Sequence, residues 1–167
     1  GVNKVVFHSF RKYYDPDIFL AAGKRIRALA EAADAMSVEQ RIAQISAIFN
    51  SFRNPDKETV LTPWRVVNMH MSDCLGGYCF YDKDFTKELD EPRFVEQINV
   101  TNNVFTPNAK ILEINSKSGL YPLYVTYSIY RAKLQNLLFA CDSIEEQQRV
   151  WDEVVRENIF VICNVPH

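Results

Sequence analysis

Glycine is scarce in this chain, five residues in 167, and no three of them fall at the G-x-G-x-x-G spacing. A nicotinamide-dinucleotide domain is therefore disfavoured, because its fingerprint needs those three glycines and an acid after the second strand. The stretch "SKSG" at 116–119 lacks the lysine after glycine of a phosphate loop, which argues against an ATP site. No serine sits in a G-x-S-x-G elbow. Long hydrophobic runs are missing too: no window approaches the roughly 20 uncharged apolar residues that span a bilayer, and no signal-peptide pattern opens the chain. An excess of one charge is absent. Nineteen Lys and Arg stand against 21 Asp and Glu, for a net charge of −2, so there is no basic face of the kind that grips DNA unaided. Lys24, Arg25 and Arg27 lie close together and read as a solvated helix face. The four cysteines, Cys74, Cys79, Cys141 and Cys163, show no C-x-x-C spacing and no nearby paired histidines, so a zinc site is not expected. Two of the cysteines lie in apolar segments, which points to reduced, buried thiols and a cytoplasmic location. No internal repeat and no low-complexity linker is visible.

What is present is the composition of a globular protein, 47% hydrophobic, 24% charged and 13% aromatic. The length suits one ordinary domain, or one domain with a helical extension. Gly1 ahead of "VNKVVF" reads as an added residue. The strand-like "NIFVICNVPH" at the other end, where an α/β chain should continue into a helix, is expected to be a cut through a larger protein.

Residues 1–15 are apolar and aromatic and fit a short helix or an added strand equally. Beyond Pro16, Ile18, Phe19, Ala22, Ile26, Leu29 and Ala33 recur at helical spacing to about residue 34. "SVEQ" at 37–40 is a capping box, with the Ser37 hydroxyl accepting from first-turn amides and Gln40 reaching back. Val38, Ile42, Ile45 and Phe49 then form one stripe, which predicts a second helix packed antiparallel on the first, a helical hairpin. A polar turn "RNPDKE" at 53–58 follows. Thr62 and Pro63 start the next helix, the threonine as cap and the proline at the first helical position. Trp64, Val67, Met71 and Leu75 form its buried stripe, and Gly76-Gly77 ends it. Residues 78–109, rich in Asp, Pro and Asn, read as irregular with short pieces. Lys110–Ile114 is a strand, 120–139 a helix apolar nearly all round, and "SIEE" at 143–146 caps a further helix carrying Ile144, Gln148, Trp151 and Val155. "NIFVIC" at 158–163 is continuously apolar, as in a parallel strand buried on both faces. The C-terminal part is thus a strand–helix–helix–strand unit, one right-handed crossover of an α/β sheet.

Attention falls on "ILEINSKSGLYPLY" at 111–124, which reads as strand, acid, tight turn and helix. A helix that starts just after a strand aims unpaired amides at whatever lies in the turn, glycine allows close backbone approach, and Glu113 can accept from an ammonium or a hydroxyl. On the residues alone, a ligand pocket and a plain strand-to-helix turn ordered by Glu113 both remain open. His8 and His70 have no carboxylate or cysteine at catalytic spacing, and His70 is expected on the flank of its helix. Trp64, Trp151 and the ladder Tyr121, Tyr124, Tyr127 and Tyr130 sit at helical spacing and read as packing.

Taken together, "LTPWRVVNMHM" (61–71), "ILEINSKSGLY" (111–121) and "ENIFVICNVPH" (157–167) resemble the first part of a bacterial DNA adenine-N6 methyltransferase, the amino-methyltransferase type of restriction–modification systems. The similarity covers roughly residues 55–167. It implies a fold of the α/β class, with the first strand–helix–helix–strand unit of a Rossmann-like class I methyltransferase sheet in 61–167, helix-rich and with an incomplete sheet. The N-terminal helical hairpin (1–60), read from the spacing alone, precedes it as a helical extension outside the resemblance.

The resemblance also implies an S-adenosylmethionine site. Thr62 and Pro63 match the helix start over the methionine end of the cofactor, Glu113 the loop acid, Gly119 the second loop glycine and Tyr121 the aromatic position. Asn115 and Ser116 keep the loop small and polar. Lys117 stands where the first glycine should be. If that position needs a positive φ, the lysine costs roughly 1–2 kcal/mol, and its side chain either fills the cofactor's space or meets the methionine carboxylate. Cys163 falls where the family places a ribose-binding acid, and Asn164 is the alternative group for the ribose hydroxyls. A rival alignment of "ICNVPH" with the catalytic N-P-P-Y turn puts Val165 and His167 in the second and last places. It conflicts with chain order, because only one crossover separates this strand from Glu113. No residue here is therefore assigned a catalytic role, and no metal is implied. The expectation is the cofactor-binding portion of a restriction–modification methyltransferase, inactive alone, reaching DNA through the full-length protein and packing against the remaining methyltransferase and specificity or nuclease domains. Self-association through an unpaired strand is also expected, as is no contact with membrane. The competing expectation is a helical scaffold or interaction module that has lost cofactor binding.

Overall fold

The computed structural model describes residue 8 and residues 15–52, 61–114, 116–137 and 141–162. The expectations for residues 1–7, 9–14 and 53–58, and those for Asn115, Leu138, Cys163, Asn164, Val165 and His167, lie outside the described residues. The chain divides into two compact units, Gly1–Ala35 and Met36–His167.

In the smaller unit, helix α1 runs Pro16–Ala33. Asp15 caps it, its carboxylate accepting from the amides of Asp17 at 2.9 Å and Ile18 at 3.3 Å. The larger unit is mixed α/β and rich in helix. Its elements are α2 (Val38–Asn50), α3 (Trp64–Cys74), β1 (Gly77–Tyr81), β2 (Glu88–Val95), the one-turn α4 (Thr101–Val104), β3 (Ile111–Ile114), α5 (Leu120–Gln135), α6 (Ile144–Glu157) and β4 (Ile159–Ile162). The two helices expected as a hairpin fall in different units, α1 in the smaller and α2 in the larger. The buried stripe of α2, centred on Val38, Ile42 and Ser46, packs on β2 and α6. Its capping box is formed as the sequence requires, Ser37 Oγ accepting from Gln40 N–H and Gln40 Oε1 from Ser37 N–H, both at 3.3 Å.

Helix α3 starts differently from expectation. Pro63 occupies the cap position with extended backbone, and no side chain of its own segment caps it. The Trp64 amide donates instead to Asn50 Oδ1 at 3.5 Å, which ties α3 to the end of α2. The helix ends as read, at Leu75, with Gly76 at φ +73 and Gly77 at φ +92. Those glycines are fixed by space as well as conformation. A Cβ on Gly77 would lie 2.6 Å from Ser128 Oγ, and one on Gly76 would lie 2.2 Å from Thr101 Oγ1.

The region read as irregular holds an antiparallel pair, β1 with β2. β1 is buried along its whole length, and its outward amides are taken by side chains rather than by another strand. Phe80 N–H donates to Asn68 Oδ1 at 2.8 Å, and Tyr78 N–H to Ser128 Oγ at 3.1 Å. Asn68 Nδ2 in turn donates to Trp64 O at 2.8 Å, so one fully buried side chain joins α3 to β1. β2 carries Pro92 and a register shift opposite Cys79–Tyr81, both suited to an edge strand.

Helix α5 is the centre of this unit. Every residue from Leu123 to Tyr130 is buried, because the helix touches α3, β1, α6 and β4. Tyr124, Tyr127 and Tyr130 are core residues, as the spacing implied. Ring contacts run from Trp64 through Phe80 to Tyr127, with centroids 5.5 Å and 4.9 Å apart, and from Tyr130 to Trp151 at 5.9 Å. The hydroxyls are bonded in place: Tyr124 to Gly76 O and Tyr127 to Glu39 Oε1, both at 2.7 Å. Burial raises the ionisation of both phenols far above the free value. α5 ends at Gln135, short of the expected residue 139. On α6 the buried stripe is Val150, Trp151 and Val154, whereas Ile144 and Val155 of the expected stripe are exposed.

β3 and β4 pair in parallel, Ile111 with Ile159 through Ile114 with Ile162, as a strand–helix–helix–strand unit should. The expectation that the second strand is buried on both faces fails. The register puts Leu112, Ile114, Phe160 and Ile162 on one face, and these are 55%, 67%, 49% and 46% exposed. Both crossover helices contact β4, yet this face is left bare. Among the described residues no helix is long and apolar enough to cross a membrane.

Candidate functional site

The strand–acid–turn–helix unit forms as read. Parallel pairing continues one step beyond β3, with Ser116 N–H donating to Ile162 O at 3.0 Å, so the turn leaves directly from the paired end of the strand. Gly119 closes it in the left-handed region at φ +74 and stands at the cap of α5. Among the described residues no side chain caps the first-turn amides, and Pro122, at the third helical position, has no amide to offer. A Cβ on Gly119 would meet nothing within 4 Å. The space over the turn is open.

Lys117 departs from its expectation in two ways. Among the described residues the non-glycine positions with positive φ are Phe85 and Asn99, so Lys117 carries no left-handed strain. Its side chain is exposed and lines neither of the cavities beside the turn.

Those cavities gather the other residues. A cavity of about 100 Å³ is lined by Thr62 and Pro63 from the start of α3 together with Ser118 and Leu120. A larger cleft of about 300 Å³ lies between Met71 of α3, Ile111, Glu113 and Phe160 of the parallel pair, and Tyr121 and Val125 of α5. The segments 61–71 and 111–121, some fifty residues apart in sequence, therefore meet on both sides of the turn. Ser116 is buried under it.

Among the described residues Glu113 is the one charged group that lines the larger cleft. Its Oε2 is fully buried and has no hydrogen-bond partner among the described residues. Burial raises its carboxyl above the usual carboxylate value, and a hydrogen bond with Ser116 opposes that rise. A desolvated carboxylate oxygen without a donor is costly, and an ammonium or hydroxyl placed in the cleft supplies the missing donor.

His70 is the residue that sequence reasoning set aside. It lies on the exposed flank of α3, as expected, but its Nδ1 is 3.1 Å from the Tyr121 hydroxyl and the two rings meet edge to face at 5.8 Å. It holds the aromatic wall of the Glu113 cleft. No local signal marks a pairing across 51 residues.

Among the described residues no group of three or more His, Cys, Asp or Glu side chains is placed to hold a metal ion. Cys79 is buried, Cys74 exposed and Cys141 partly exposed, all as free thiols. Comparison with protein-family models, with curated proteins and with solved structures finds no match to this chain.

Proposed function

We propose that this chain is the cofactor-binding portion of a DNA adenine-N6 methyltransferase from a restriction–modification protein, with the first unit of a Rossmann-like class I sheet in residues 61–167. The observation that carries this reading is that the Thr62-Pro63 helix start shares a small cavity with Ser118 and Leu120, while Tyr121 of the same turn lines the separate cleft that holds a buried carboxylate oxygen lacking a donor.

The described residues offer groups that suit S-adenosylmethionine. Glu113 offers an acceptor to its amine or hydroxyls, Gly119 leaves the backbone of the turn approachable, and the amides of Leu120 and Tyr121 face the turn from the helix start. Tyr121, steadied by His70, walls the cleft, and Met71, Leu75 and Val125 give it an apolar lining. When bound, the cofactor supplies an electrophilic methyl group on a sulfonium. The contribution of these residues is to position it and exclude water. Asn115, Ser116, Lys117, Cys163 and Asn164 complete the set that the resemblance implies. The exposed side chain of Lys117 leaves the cleft free. DNA and the catalytic turn belong to the remaining domains, and the bare apolar face of β3 and β4 offers those domains a place to pack.

The second reading is a scaffold or interaction module with cofactor binding lost, and the same bare face favours it. Calorimetric titration of the whole chain with S-adenosylhomocysteine separates the two. The cofactor reading expects a Kd of about 100 µM or tighter and at least roughly tenfold weakening in Glu113→Gln. Absence of heat at millimolar ligand with a folded chain leaves the scaffold.

A further inference from the structure

A second cleft, of about 500 Å³, lies on the other side of α3, between that helix and the β1–β2 hairpin, and among the described residues it shares no lining residue with the Glu113 cleft. Its walls are Met69, Phe85 and Val95, and its polar groups include Arg93, His70 and Asp73. The Arg93 guanidinium is partly buried. Its Nε donates to Tyr81 O at 2.7 Å and one terminal nitrogen to Asp82 O at 3.4 Å. These two bonds to backbone fix the plane of the fork and leave its other N–H groups without an acceptor among the described residues. No carboxylate among them is within ion-pair distance of it: the Asp82 carboxylate is hydrogen-bonded by the Thr86 hydroxyl and amide and by the Lys87 amide, and the nearby Arg93 charge also favours its negative form. Phe85 is held at φ 54, an unfavourable conformation for a bulky residue, which sets its ring 5.8 Å from the Arg93 carbon as a flat wall of the cleft.

A guanidinium fixed by carbonyls and lacking a paired carboxylate recognises an oxyanion. Phe85 gives a face for a planar group, and Asp73, on the exposed side of α3, places a negative charge at the rim of the cleft. We infer that this cleft binds a nucleotide-like molecule, an oxyanion carried on a planar body, through Arg93 and Phe85. The site does not depend on the cofactor reading, because it uses none of the residues that line the Glu113 cleft.

The test is calorimetric titration of the whole chain with adenosine 5′-monophosphate, adenosine, inorganic phosphate and a benzoate probe, repeated at two salt concentrations. The nucleotide should bind at least about tenfold more tightly than adenosine and weaken as salt rises. Benzoate binding as well as the nucleotide assigns the site to carboxylates, and the inference of a nucleotide-like ligand falls. Asp73→Asn, at an exposed helix position, should tighten nucleotide binding about two- to fivefold by removing a negative charge from the rim. Arg93→Gln should abolish binding in a chain whose circular dichroism is unchanged. If that variant does not fold, Asp73→Asn decides. Adenosine binding as tightly as the monophosphate, or an affinity indifferent to Asp73→Asn, overturns the proposal. Glu113→Gln should leave nucleotide binding unchanged, so a failure of S-adenosylhomocysteine to bind is read separately.

Discussion

The Tyr121 hydroxyl and His70 Nδ1 stand 3.1 Å apart, joining the first turn of α5 to the flank of α3. This bond braces the wall of the Glu113 cleft from outside, where solvent reaches it. Tyr121→Phe should therefore cost little stability, about 0.5–1 kcal/mol in a denaturant titration, yet weaken S-adenosylhomocysteine several-fold by loosening the ring. An unchanged affinity would show that the ring is held by packing alone.

Glu113 sets stability against binding. Its raised carboxyl means that the folded chain holds this proton more tightly than the unfolded chain does. The stabilising contribution is complete below the ordinary carboxylate value and is lost as pH climbs through the raised one. At pH 7 the charge is a liability. Glu113→Gln should raise the midpoint of chemical unfolding at pH 7, and the gain should vanish near pH 4, while affinity for the cofactor analogue falls. A variant less stable than the parent at pH 7 would mean that an interaction of the charged form outweighs burial.

Two glycines should behave oppositely. Gly77 sits at φ +92 with its Cβ site 2.6 Å from Ser128 Oγ and 2.8 Å from Phe105 Cε2. Gly77→Ala should destabilise severely, by about 3 kcal/mol or more, adding backbone strain to a clash in the core. Gly23, inside α1 with nothing within 4 Å, should accept alanine with a gain of roughly 0.5–1 kcal/mol. Thermal melts of the two variants settle both signs.

The turn gives a further contrast. Lys117 is not in the left-handed region, so Lys117→Gly relieves no strain and should lower the melting temperature slightly or leave it unchanged. Gly119, at φ +74 with open space above it, should lose about 1–2 kcal/mol on substitution by alanine, from conformation alone. A stabilised Lys117→Gly would contradict the geometry of the turn.

Much of this architecture is legible in local sequence because the forces involved are local. The Ser37 box, the Ser143 cap, whose hydroxyl accepts from Glu146 N–H at 3.1 Å, and the Gly76-Gly77 stop are satisfied within a few residues of themselves. The all-round apolarity of α5 states its burial without naming what buries it. The β1–β2 pair was not legible: "ELDEPRFV" lacks alternation, and the strand exists because β1 needs an antiparallel neighbour on one side while Asn68 and Ser128 close the other. The start of α3 is not legible for a related reason, since the acceptor for the Trp64 amide is Asn50, fourteen residues away.

The sequence by itself determined the long helices, the caps at Ser37 and Ser143, the Gly76-Gly77 stop, the glycine turn before α5 and the parallel strand–helix–helix–strand order, since each rests on backbone conformation and on hydrogen bonds between near neighbours. Only the tertiary structure decided that Thr62 and Pro63 share a cavity with Ser118, that His70 reaches Tyr121, that Lys117 points to solvent, and that one face of β3 and β4 is bare. These are relations between side chains distant along the chain. They follow from how α5 packs among α3, β1, α6 and β4, and no short window of sequence holds that information.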